Sequence, residues 1–229
     1  MDWALVTNFF AAMLAIVNPV GKVPVWIKCS RGQDDAARWR LALLVTLTAG
    51  TILVGSLWFG SAILELFSID LPSFRVGGGI VILLTGLAML RGEATDIDPG
   101  DEEEDEDPMG RAKERLRSIL VPMAVPILAG PGSITTAIVY SNRVGGSSGG
   151  GESFTTLLGM TGVVMAVMAI IYVTLLVAPW VRRVLGDVGL AVVTRLFGLV
   201  LVAIAAQLVA EGLAELFPAW TTSQSPVKE

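Results

Sequence analysis

Hydrophobic residues make up 53% of the 229, charged residues only 16%, and the mean hydropathy is +0.70. A soluble domain of this length needs more polar surface to cover its core, so the chain reads as a polytopic membrane protein. A single cysteine, Cys29, excludes an intrachain disulfide framework or thiolate cluster, and the lack of histidine excludes imidazole catalysis, histidine metal ligation and histidine proton relays. The net charge of −5 is set by one segment: without DEEEDED at 101–107 it would be +2.

The first apolar stretch, Leu5–Ile27, has neither a basic leader nor a small-residue cleavage site, and is expected to be a retained helix. Like the five stretches after it, it approaches the ~20 residues that cross a hydrocarbon core ~30 Å thick. It contains NPVGKVP at 18–24. Leu41–Leu64 is an uncharged second span, and Leu71–Leu90 a third with Arg75 near its start. Residues 93–118 form an acidic linker, because like charges keep such a run solvated and extended. Ile119–Tyr140 is an uncharged fourth span holding PILAGPG at 126–132, followed by a flexible connector, GGSSGGGES, at 145–153. Phe154–Val181 and Val188–Ala210, the latter with Arg195, make six, and 218–229 is a flexible tail. Trp58, Trp180 and Trp220 fall near predicted helix ends, where indole rings anchor at the interface.

Short-loop cations orient the spans. The first, third and fifth loops hold Lys28, Arg31, Arg38 and Arg40, then Arg91, Arg111, Lys113, Arg115 and Arg117, then Arg182 and Arg183. The other side offers Arg143 and Lys228, with Arg75 at a helix edge. The odd loops are expected to be cytoplasmic and both termini outside, in a cell (inner or plasma) membrane.

Spans one to three and four to six share a plan. The first of each triplet carries a Pro/Gly cluster, the second is long and uncharged, and the third opens with arginine and then glycine three residues on: RVGG at 75–78, RLFG at 195–198. Gly21 to Arg75 is 54 residues and Gly132 to Arg195 is 63; the excess equals the length of GGSSGGGES. Three spans per half make the halves enter from opposite sides. The expected architecture is all-α: six transmembrane helices as two inverted-topology repeats, 1–92 and 119–217, with helices 1 and 4 broken.

Lipid offers no hydrogen bonds, so non-helical backbone survives at membrane depth only where protein or a water-filled cavity covers it. Proline lacks an N–H and frees a carbonyl a turn upstream, while glycine permits unusual dihedrals. Each cluster therefore predicts two half-helices facing a polar cavity. The second half-helix offers bare N–H groups suited to a carboxylate, and the first offers carbonyls suited to an ammonium group, so that together they would hold a zwitterion. The candidate substrate-binding residues are Asn18, Pro19, Gly21, Lys22 and Pro24 in the first cluster. Gly130, Pro131, Gly132, Ser133, Thr135 and Thr136 make up the second. Lys22 has two readings, a substrate carboxylate or a route along the helix to the surface.

Fifteen residues separate Arg75 from Arg91, and fifteen separate Arg195 from Glu211. That is a rise of only ~23 Å, so one charge of each pair must enter the apolar zone or snorkel from it. Arg75 and Arg195 are candidate gates from opposite sides. Gln207, deep in the sixth span, is a candidate for bonding across helices, and Gly77–Gly79 and Gly86 for close helix contact.

NPVGKVP, PMAVPILAGPGSITT, FRVGGGIVILLTGLAML and TRLFGLVLVAIAAQLVAEGL together resemble the MarC family of bacterial and archaeal inner-membrane proteins, over all but the acidic loop and the tail. The resemblance implies a secondary transporter or exporter of small neutral amino acids, with Asn18, Pro19, Gly21, Pro24, Pro126, Gly130, Pro131 and Gly132 as the matching motif positions. Glycine, alanine, serine or threonine would suit a cradle between glycine-rich helices. A non-transporting scaffold or sensor, or efflux of another small solute, is the alternative. An enzyme is not expected: no nucleophile–base pair or metal-ligand set lies at depth. Nor is any cofactor, metal or nucleic-acid partner; the expected partners are solute and bilayer, with homo-oligomerisation open.

Overall fold

Three aspartates start three of the helices. Asp2 caps α1 (Trp3–Val17), its carboxylate accepting the Leu5 N–H at 3.0 Å; Asp34 caps α3 (Asp35–Leu66) through the Ala37 N–H, also at 3.0 Å. Asp70 caps α4 (Leu71–Arg91) through the Ser73 N–H at 3.2 Å. Hydrogen bonds from Ser73 hold the Asp70 carboxyl below the usual carboxylate range. α4 stops at Gly92, which takes a left-handed φ of 83°.

The computed structural model describes residues 2–30, 33–92, 128–145 and 150–218. The remaining elements are α2 (Val23–Cys29), α5 (Pro131–Gly145), α6 (Gly150–Leu176) and α7 (Ala178–Leu216). Five stretches among the described residues are long and apolar enough to cross a membrane: Trp3–Cys29, Asp35–Leu66, Leu71–Arg91, Phe154–Leu176 and Ala178–Leu216. α5 covers the described end of the fourth expected span, Ile119–Tyr140. The acidic linker at 93–118, Pro126 and the tail from 219 lie outside the described residues.

Two expectations change. The connector at 145–153 is shorter, since α5 reaches Gly145 and α6 starts at Gly150. Arg182 and Arg183 are not in a loop: α7 begins at Ala178 and bends at Gly186, whose φ of 65° and ψ of 175° glycine adopts without a Cβ clash. Arg182 donates to Asp187 across that bend at 3.0 Å.

The larger core joins α1, α2, α3, α5 and α6 around Phe9, Trp26, Leu53 and Met160; a smaller one joins α4 and α7 with Ile16 and Val139. α4 lies antiparallel along most of α7, and small residues set the approach. A Cβ on Gly86 would fall 3.0 Å from the Gly198 carbonyl oxygen, and a Cβ on Gly198 would fall 3.0 Å from that of Gly86. Leu84, Leu196 and Leu199 point outward, each more than half exposed, which is stable in lipid and a liability in water. An apolar groove of about 560 Å³ between α3 and α6, walled by Leu47, Gly50, Phe59, Met165 and Tyr172, opens on that outer surface and contains none of the candidate site residues.

Candidate substrate site at the helix interruptions

Pro19 decides how α1 ends. A residue before proline is pushed off the right-handed helical region, and Asn18 adopts φ 48°, ψ 77°, which asparagine tolerates better than most residues. Its N–H still completes α1 by bonding the Leu14 carbonyl at 3.0 Å. Its side chain starts the next turn: Oδ1 accepts the Gly21 N–H at 3.0 Å, and a 3-10 turn, Val20–Lys22, leads into α2. Pro19 supplies no N–H for the Ala15 carbonyl, and the Gly21 N–H is diverted from Val17 to Asn18. Asn18 is only 1% exposed, yet its Nδ2 has no hydrogen-bond partner among the described residues. A buried amide left unpaired costs ~1–3 kcal/mol, so this donor marks a place where a further acceptor would be stabilising.

α5 opens at Pro131, a residue suited to the first helical position because its missing N–H would be unpaired there anyway. The Gly130 carbonyl accepts the Ile134 N–H at 3.1 Å, and helix geometry leaves the N–H groups of Gly132 and Ser133 without an intrahelical acceptor. Ser133 donates to the Leu128 carbonyl at 3.4 Å and Thr136 to that of Gly132 at 2.9 Å. Ser133, Thr135 and Thr136 are all buried.

The last turn of α1 meets the first turn of α5. A Cβ on Gly132 would lie 3.5 Å from Cγ2 of Ile16, in the last turn of α1, and 2.9 Å from Cγ1 of Ile82 on α4. About one turn earlier on α4, Gly78 makes room for Thr135: a Cβ there would fall 2.0 Å from Thr135 Cγ2. Pro19 is buried, whereas Gly21, Lys22 and Pro24 are partly exposed.

The candidate gates differ. Arg75 is buried and pairs with Glu215 of α7; Arg195 is exposed beside Gly92. Gln207 bonds Glu211 on its own helix at 3.0 Å and does not cross between helices. In the sequence Glu211 stood only as the charge that fifteen residues separate from Arg195, and Glu215 was not singled out. Their spacing of four on the side carrying Arg75 and Arg143 was the signal available.

A model of the MarC family of integral membrane proteins matches residues 3–217. The chain is similar to the UPF0056 membrane protein YhcE of Escherichia coli, 32% identical over 217 residues and covering 95% of each chain. It is also similar to the UPF0056 membrane protein MJ1677 of Methanocaldococcus jannaschii, at 34% identity over 93% of this chain and 98% of that one. With the UPF0056 membrane protein YvbG of Bacillus subtilis it shares 29% identity over 97% and 100% of the two chains. No solved structure matches it.

Proposed function

The chain belongs to the MarC family, and from that premise we propose that it is a secondary transporter that exports or exchanges small neutral amino acids by alternating access around the Asn18–Gly132 site. One observation carries the reading: a buried carboxamide whose Nδ2 has no partner among the described residues stands where α1 ends, and the last turn of α1 packs against the opening turn of α5. Bare N–H groups at Gly132 and Ser133 and the Asn18 Nδ2 suit a carboxylate; carbonyls released near Ala15 and Val17 suit an ammonium group. Glycine, alanine, serine and threonine are the substrates this crowding favours, since Ile16, Ile82 and Thr135 leave little room for a larger side chain.

The helix pairing supports two inverted three-helix repeats. Second helix meets second in α3 against α6, and third meets third in α4 against α7. The segment after each interruption packs on the third helix of the other half: α2 on α7, and α5 on α4. The same reading places both termini outside, makes the protein a carrier and not an enzyme, and assigns Arg75 and Arg195 to opposite gates.

Proteoliposomes loaded with labelled alanine test this. Efflux or counterflow is expected, lost in Gly132→Leu and reduced in Asn18→Asp, which keeps an acceptor for the Gly21 N–H but puts a carboxylate oxygen, repelling a substrate carboxylate, where the Nδ2 donor stood. If neither flux appears and neither substitution changes any solute flux, the transport reading fails.

A further inference from the structure

Two ion pairs tie one end of the bundle. Arg75, in the second turn of α4, pairs with Glu215; Arg143, at the end of α5, pairs with Glu211 one turn earlier on α7. The Arg75 side chain is 9% exposed, so its charge has left water and depends on that partner. Arg143 also lies 5.0 Å from the centroid of the Tyr140 ring, and Glu211 takes a further bond from Gln207. Two helices of the site, α4 and α5, are thus fastened to successive turns of a third.

Among the described residues, the other end of the α4–α7 pair lacks this complementarity. Arg195 stands beside Gly92, its Nη2 3.9 Å from where a Gly92 Cβ would be, and Arg91 precedes Gly92. The spacing of Arg75 and Arg91 equals that of Arg195 and Glu211, but the position that is acidic on α7 is basic on α4. Arg91 and Arg195 are both exposed, and no salt bridge joins either to another described residue.

We propose that Arg75–Glu215 and Arg143–Glu211 form a two-rung latch that holds shut the end of the bundle where α4 begins, leaving the Arg195 end as the one free to open. The inference rests on the alternating-access reading and adds its asymmetry. Passage of a solute through the latched end requires the last turns of α7 to leave α4 and α5, which breaks both pairs. Water entering the gap then solvates the four released charges, so the latch opens as a unit.

Accessibility tests it without requiring transport. In full-length protein carrying Cys29→Ser and Thr135→Cys, reconstituted in vesicles, a membrane-impermeant maleimide is applied to one face at a time. Thr135 is 4% exposed and lies on α5 between Gly132 and Arg143, so its labelling reports opening. From the latched face, Glu211→Gln and Glu215→Gln should each raise the labelling rate several-fold, and the pair together at least ten-fold. The exchange Arg143→Glu with Glu211→Arg should return it to the parent rate. An unchanged rate in the double variant, or no recovery on exchange in protein whose thermal unfolding matches the parent, overturns the latch. Labelling as expected, with no alanine flux in the protein of unaltered sequence, sinks the transport reading and keeps the latch; alanine flux in that protein with unchanged labelling does the reverse.

Discussion

The Asn18 carboxamide lies across Gly21: Oδ1 accepts the Gly21 N–H at 3.0 Å, and a Cβ on Gly21 would fall 2.3 Å from Nδ2. The glycine is therefore required by a side chain and not by its own dihedrals. Gly21→Ala should displace the carboxamide, break the cap and lower stability by about 1–3 kcal/mol. Thermal unfolding in detergent measures it. In an Asn18→Ala background the obstacle is gone, and the added cost of Gly21→Ala should fall below about 0.5 kcal/mol. Equal costs in the two backgrounds would contradict this contact.

Gly77 and Gly78 are neighbours with opposite outcomes. A Cβ on Gly77 meets nothing within 4 Å, whereas one on Gly78 meets Thr135 at 2.0 Å. Gly77→Ala should be neutral or stabilise by up to about 1 kcal/mol through reduced chain entropy. Gly78→Ala should destabilise by about 1–3 kcal/mol, with partial recovery in Thr135→Ala. Unfolding midpoints of the three variants decide it.

Gly86 and Gly198 are opposed by each other's carbonyl oxygens at 3.0 Å. Backbone cannot be trimmed, so Gly86→Ala and Gly198→Ala should each cost about 1–3 kcal/mol by forcing α4 and α7 apart. Val202→Ala should restore only part of the loss in Gly86→Ala, because Val202 Cγ2 is only one of the obstacles there. Full restoration by that side-chain change would show the helices are not in backbone contact.

Topology can be read with single cysteines in a Cys29→Ser background. Ser225→Cys should react with an impermeant maleimide on intact cells, and Ser118→Cys only after lysis, since the cations cluster in the odd loops. Labelling of Ser118→Cys from outside would reverse the orientation.

The end of α1 and the start of α5 were legible because their cause is local. Pro19 has no N–H whatever surrounds it, and Asn18 is pushed from the helical region by the proline after it; Pro131 likewise suits the first position of α5. Of the candidate residues, the sequence showed only which are proline, glycine or short polar side chains; the burial of Asn18, Ser133, Thr135 and Thr136 came from the fold. Less legible was the run around Arg182 and Arg183, which charge counting places in a loop. Helix continues through them because arginine is a good helix former and Asp187 neutralises one of them across the Gly186 bend.

By itself the sequence determined the membrane class, the approximate spans and the positions of the prolines and glycines, since hydropathy and missing N–H groups are properties of residues alone. Only the tertiary structure decided that Ile16 approaches Gly132, that Thr135 needs Gly78, and that Arg75 finds Glu215 across 140 residues of chain. A charge carries no label for its partner: which pair forms depends on the rotation and register of each helix. Those are set by glycine contacts between helices that no local pattern encodes.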